Sequence, residues 1–216
     1  MSSFEEALES ISLKLGQKAK DAIAHYFNLL SEANSQSNLT RITDQNDFYI
    51  KHVFDSLLIY QVFPEIAEES FKVADIGCGG GIPGIPLSIC FPELKIHEID
   101  SVNKKIKHVQ SFIDALKLNA SAHHANAREL ARTDEFHRSF DIVIARAVAD
   151  SHKLIKECKL FLNETGKMIL YKTPQQIADE EKLVEREAKK AGLSVQKSAV
   201  IDIDGLGKRQ FWVLSK

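Results

Sequence analysis

Residues 73–81 read VADIGCGGG, a short apolar run that passes an acid and then four glycines within five residues. A strand that stops in such a turn lets another group approach its backbone at a range that only residues without a Cβ permit. The helix expected over 84–91 presents its unpaired first N–H groups toward the same place. Together they impose a strand–turn–helix unit with a ligand cleft at its mouth, and the rest of the chain has to be built around that unit.

From residue 71 onward the chain keeps that rhythm. Short apolar runs at 71–76, 95–100, 121–125, 140–145 and 167–172 alternate with helical stretches near 84–91, 102–117, 126–131, 150–161 and 175–191. Such alternation builds βαβ units around a parallel sheet. The last segments, 193–203 and 208–216, read as strands with only the turn DGLG between them, so the sheet ends in an antiparallel hairpin. Ahead of the sheet, helices are expected at 3–14, 18–33 and 46–61, the second with Ala22, Tyr26, Phe27 and Leu30 at helical spacing. A length of 216 residues suits one structural domain. Residues 1–62 form a helical extension packed on a core of 63–216.

The spacing of the glycines separates two ligand classes. A dinucleotide fingerprint GxGxxG would place its third glycine at 82, where this chain has Ile82; the glycine falls at 81. GxGxG preceded by Asp75 resembles the first motif of class I S-adenosylmethionine-dependent methyltransferases. Their Rossmann-like α/β fold carries a seven-stranded, mostly parallel sheet with an antiparallel C-terminal hairpin. Asp75, Gly77, Gly79 and Gly81 are therefore cofactor-binding candidates. The next strand, KIHEID, ends in Asp100, placed to accept both ribose hydroxyls, with Ser101 beside it. Glu98 is its rival, and capping of the helix at 102–117 is the alternative role for Asp100. After the third strand, HHANAREL sets Asn126, Ala127 and Arg128 beside the expected adenine.

Read with their neighbours, these residues resemble the ribosomal RNA small subunit methyltransferase G family, also called glucose-inhibited division protein B. The matching segments are NLTRI (38–42), IKHVFDSLL (50–58), DIGCGGGIPGIPLSI (75–89), IDSVNKK (99–105), FDIVIARAVA (140–149) and GKRQFWVLSK (207–216). The resemblance implies methyl transfer from S-adenosyl-L-methionine to N7 of a guanine in 16S rRNA, in the 530 loop near the decoding centre. It also implies cofactor contacts at Gly77, Ile82, Ala127, Arg128 and Arg146. Asn126 and Arg128 stand where the family commonly carries Arg and Glu.

Guanine N7 has an in-plane lone pair and no proton, so its attack on an activated methyl group needs positioning and no general base. The sequence accordingly offers no obvious Asp/His or Cys/His pair. Arg146 is the candidate for gripping the target through O6 or a phosphate; its structural alternative is a salt-bridged arginine at a helix start. Lys104, Lys105, Lys172, Lys208 and Arg209 are candidates for an RNA-binding rim. Lys107 reads as a surface charge and Cys78 as packing. His123, His124 and His137 lack ligand spacing, and no metal is expected.

A net charge of -2 excludes a protein that holds naked nucleic acid by counterion release over its whole surface. An RNA partner would then be met by a local patch or arrive already shaped; the resemblance implies that it is 16S rRNA or the small ribosomal subunit, and neither DNA nor a membrane is expected. The three cysteines form no CxxC pair, and the acidic, amphipathic N-terminus lacks the pattern of a signal peptide, which predicts a cytoplasmic protein. From the residues alone, three other readings stay open: a class I methyltransferase for a small molecule or protein, a nicotinamide-dependent oxidoreductase, and a catalytically silent RNA-binding module.

Overall fold

The computed structural model describes residues 3–148 and 150–216; Ala149, the last residue of the IARAVA segment, lies outside them. The chain opens with α1 (Phe4–Ser10) and α2 (Gln17–Ser37). A capping box starts α1: the Ser3 hydroxyl accepts from the Glu6 N–H while the Glu6 carboxylate accepts from the Ser3 N–H. This helix stops well before the expected residue 14, because Ser12 turns to a left-handed φ of 57° and Leu13 N–H returns to the Leu8 carbonyl. Asn38, also left-handed, ends α2.

The third helical run, residues 45–61, is a succession of short pieces. α3 (Gln45–Phe48) passes into a π-helical segment, Tyr49–Phe54, then α4 (Asp55–Leu57) and a 3-10 turn, Leu58–Gln61. The wider π turn falls within the segment that carries Lys51 and His52, next to the candidate site described below.

The core follows as β1 (Lys72–Ile76), α5 (Gly84–Cys90), β2 (Lys95–Asp100), α6 (Asn103–Leu116), β3 (Ala120–His124), α7 (Ala127–Leu130), β4 (Phe140–Arg146), α8 (Ser151–Cys158), β5 (Leu162–Lys172), α9 (Pro174–Ala191), β6 (Ser194–Lys197), β7 (Ile201–Ile203) and β8 (Gly207–Ser215). The strand order is β3-β2-β1-β4-β5-β8-β6, with β7 also paired to β8. The first five strands are parallel, and β8 runs antiparallel between β5 and β6. The expected single strand 193–203 is thus interrupted at 198–200. Its two parts follow one another along β8, β6 opposite Ser215–Trp212 and β7 opposite Arg209–Gly207.

Alternation along the central strands divides the core into two layers. Ile142, Ile144, Ile169 and Tyr171 face the side covered by α1, α2, residues 45–61, α5 and α6. Val143, Ala145, Met168 and Leu170 face α8 and α9. The N-terminal helices share the first layer with β1 and β2: Ile23, Tyr26 and Leu30 belong to one buried cluster with Val73, Ile96 and Phe112. No helix of the described residues is long and apolar enough to cross a membrane.

Candidate active site

The order reverses between β1 and β4, and this switch point is where an open α/β sheet leaves a crevice beyond its strand ends. Two clefts occupy that edge. One, of about 350 Å³, is lined by Gly77, Ile99, Asp100, Ser101, Val102, Lys105, Asn126, Ala127, Val148 and Leu154, among others. The second, of about 450 Å³, lies over β4 and β5 and is lined by Lys51, His52, Asp55, Arg146, Tyr171, Lys172, Glu180 and Arg209, among others. Ala147 and Val148, on the loop after β4, line both. A larger concavity of about 600 Å³, between α1 and residues 46–50, shares no lining residue with either cleft.

The glycine turn is held from three sides. Gly77, Gly79 and Gly81 have φ of 70°, 60° and 88°, a region that side chains disfavour. A Cβ on Gly77 would stand 2.7 Å from Val148, so this strand end and the β4 loop are in close contact. Gly79 N–H donates to Asp100 Oδ2 at 3.0 Å. From the first layer, the buried Tyr26 hydroxyl of α2 donates to the Gly80 carbonyl at 2.7 Å. Asp100 Oδ1 accepts from the Val102 N–H at 2.8 Å, so this carboxylate ties the turn to the start of α6. Val102 itself is the N-cap residue. Each carboxylate oxygen keeps a second acceptor site, so the two internal bonds are compatible with a bound diol.

Asp75, expected at the mouth of the turn, lies beneath it. It is fully buried, and its Oδ2 accepts from the Gly84 N–H at 2.8 Å. Strand register sets it beside Glu98, which is also fully buried. Glu98 is so close to α5 that a Cβ on Gly84 would run into its carboxyl group. Apart from each other and Cys78, these acids have no hydrogen-bonding partner for Asp75 Oδ1 or either Glu98 oxygen. Two buried carboxylates cannot both ionise side by side, so the pair shares a proton. Burial pushes the Asp75 carboxyl up to about 7, and burial together with the Asp75 charge pushes Glu98 well above its ordinary value. Burial likewise raises the Cys78 thiol, which suits packing and gives no thiolate nucleophile.

The cleft over β4 is organised by Asp55, which the sequence reading did not single out. Its Oδ2 accepts from Arg146 Nη1 and its Oδ1 from Arg209 Nε, both at 2.7 Å. Arg146 also donates from Nη1 to the Lys51 carbonyl at 3.0 Å, and its Nη2 lies 3.1 Å from His52 Nδ1. Because a guanidinium only donates, His52 Nδ1 accepts; Nε2 carries the proton and donates to Thr40 Oγ1 at 2.7 Å. Burial, reinforced by the Arg146 charge, lowers His52 to about 4, in keeping with a neutral ring. The signal for Asp55 was an acid inside the apolar run VFDSLL, a position that requires a cationic partner.

The remaining expected residues disperse. Ile82 is buried in the core, and Gly81 packs against Ile85. Arg128 is exposed; its backbone N–H donates to the Asn126 side chain at 3.0 Å. Of the rim cations, Lys105 lines the first cleft. Lys172 lies against Glu180 at 3.1 Å and Lys208 is 3.8 Å from Asp202. Lys104 donates to the Gln36 carbonyl at 2.6 Å. Among the described residues no group of three or more His, Cys, Asp or Glu could hold a metal ion.

Solved structures share this fold. A SAM-dependent methyltransferase from Aquifex aeolicus matches with a TM-score of 0.57 and 14% identity, over 86% of this chain and 97% of that one. Fibrillarin from Aeropyrum pernix, in complex with natively bound S-adenosyl-L-methionine, matches with a TM-score of 0.56 and 15% identity, over 75% and 73%. Sequence relatives are much nearer. Ribosomal RNA small subunit methyltransferase G of Streptococcus pyogenes serotype M12 is 40% identical, over 82% of this chain and 74% of its own. That of Limosilactobacillus reuteri (strain DSM 20016) is 34% identical, over 94% and 84%. The model of the family described as rRNA small subunit methyltransferase G matches residues 19–210. With a match of that extent, the chain belongs to the rRNA small subunit methyltransferase G family.

Proposed function

We propose that the protein transfers the methyl group of S-adenosyl-L-methionine to N7 of a guanine in 16S rRNA, in the 530 loop near the decoding centre. The observation that carries this reading is the meeting of two unlike clefts at Ala147 and Val148 in a chain of this family. The first has a carboxylate for a ribose at Asp100, small backbone at Gly77 and apolar walls at Ile99, Val102 and Leu154, which fit an adenosine-bearing cofactor. The cofactor supplies an electrophilic methyl group on a sulfonium centre. Gly77, Asp100, Ser101 and Ala127 hold it, and Asp75 acts from behind the turn through Gly84.

The second cleft carries Lys51, Arg146, Lys172 and Arg209, and each of its three acids, Asp55, Asp150 and Glu180, is ion-paired. His52 is neutral and already bonded on both ring nitrogens. That is sufficient for guanine N7, which needs orientation and exclusion of water but no proton removal. Arg146 directs Nη1 and Nη2 at Asp55, Lys51 and His52, which fixes its plane at the cleft wall. Its remaining donors suit guanine O6 or a neighbouring phosphate. The partner is 16S rRNA, alone or within the small subunit.

The purified protein, given S-adenosyl-L-methionine labelled in its methyl group and small subunits from cells lacking its gene, should place the label in 7-methylguanosine of 16S rRNA. Label in another nucleoside, or only in ribosomal protein, would overturn the assignment.

A further inference from the structure

The cations that the sequence places at the rim are held largely by the chain itself: Lys104 by a carbonyl, and Lys172, Lys208 and Arg209 by Glu180, Asp202 and Asp55. A different set stands next to the cofactor cleft. Arg128 on α7 and Arg132 in the turn after it, with Lys153 and Lys156 one turn apart on α8, line a single concavity of about 270 Å³. All four are exposed, and the one acid in the lining is Glu157, which also lines the cofactor cleft. Four cations against one acid is a local excess in a chain whose total is -2.

The contacts of this set are of a kind that an anion can replace. Lys153 meets Asp150 at 2.9 Å, with both side chains more than half exposed. Such surface pairs contribute little stability and exchange readily. Lys156 is 3.9 Å from Glu187, a carboxylate already engaged by Lys190 at 3.0 Å and Arg186 at 3.3 Å. Arg132 donates to the Arg128 carbonyl at 2.9 Å, which orients its guanidinium along α7 without neutralising it. The Arg128 side chain has no acidic partner among the described residues.

We infer that the Arg128–Arg132–Lys153–Lys156 concavity is a docking surface for the phosphate backbone of the RNA substrate, flanking the cofactor cleft on the α7–α8 side. It rests on the reading of the protein as an rRNA methyltransferase and adds where the strand runs. Phosphates along one strand would be met by cations from α7, the turn that follows it, and α8. That grip fixes position and carries no sequence information, leaving selection of the base to the Arg146 cleft.

The test replaces Arg132, Lys153 and Lys156 together by Gln, which keeps most of each side chain's packing and removes three charges. Binding of small ribosomal subunits, isolated from cells lacking the gene, is titrated against KCl for wild type and variant. The surface predicts a loss of affinity of about tenfold or more near 0.1 M salt, and a salt dependence shallower by roughly 2 in log–log slope. S-adenosylhomocysteine affinity, measured alongside, should stay within about twofold and reports that the fold and first cleft are intact. Equal affinity and equal slope would overturn the docking surface while wild-type methylation of the same particles upholds the enzyme reading. If the wild type neither binds nor methylates them, that reading falls and the surface with it.

Discussion

Asp100 braces the glycine turn against the residue that caps α6, a role in the structure that neither sequence expectation named. It was placed as a ribose acceptor with helix capping as the rival. In the structure it accepts from both Gly79 and Val102, bracing the turn and the start of α6 at once. Asp100→Ala removes a charged acceptor whose hydrogen bonds contribute about 1.5–3 kcal/mol each. S-adenosylhomocysteine affinity should fall by at least about tenfold in calorimetry; unchanged affinity would leave the residue a purely structural brace. Asp55 belongs at this scale too. Removing it strands Arg146 and Arg209 beside one another in a mostly buried site, so Asp55→Ala should cost about 3 kcal/mol in urea unfolding. Asp100 was legible because it ends the strand that follows the glycine turn in the same βαβ unit, 21 residues beyond Gly79. Asp55 stayed hidden because its partners lie 91 and 154 residues away. Only the anomaly of an acid in an apolar run hinted at it.

At the scale of elements, the glycine turn depends on α2 as much as on its own strand. The Tyr26 hydroxyl crosses 54 residues to satisfy the buried Gly80 carbonyl. Tyr26→Phe leaves that carbonyl unpaired, at a cost of about 1–3 kcal/mol. It should also weaken S-adenosylhomocysteine binding several-fold, because the turn is then less well held. A thermal melt with and without ligand reads both effects. The elements themselves were mostly legible, since β-α alternation and glycine punctuation are local signals. The interruption between β6 and β7, the π turn at Tyr49–Phe54 and the early stop of α1 were not. Each reflects a fit to packing partners that periodicity does not encode.

Across the whole molecule, the buried Asp75–Glu98 pair links stability to pH. Folding raises the Asp75 carboxyl to about 7, so the folded chain binds this proton more tightly than the unfolded one. Its contribution is complete below the ordinary carboxylate value and is lost as pH rises through about 7. Melting temperature should therefore fall from about pH 5 to about pH 7, and Glu98→Gln should flatten that fall by removing the second ionisable group. An unchanged slope would mean that the pair does not carry a shared proton. The pair beneath the turn and the N-terminal helices support the glycine turn, and the two clefts share Ala147 and Val148, where the proposed function has cofactor and RNA base meet. Nucleoside mass spectrometry of 16S rRNA from cells lacking the gene should show loss of one N7-methylguanine, restored by the wild-type protein and poorly restored by Asp100→Ala. An unchanged N7-methylguanine content in the deleted cells would contradict the proposed function.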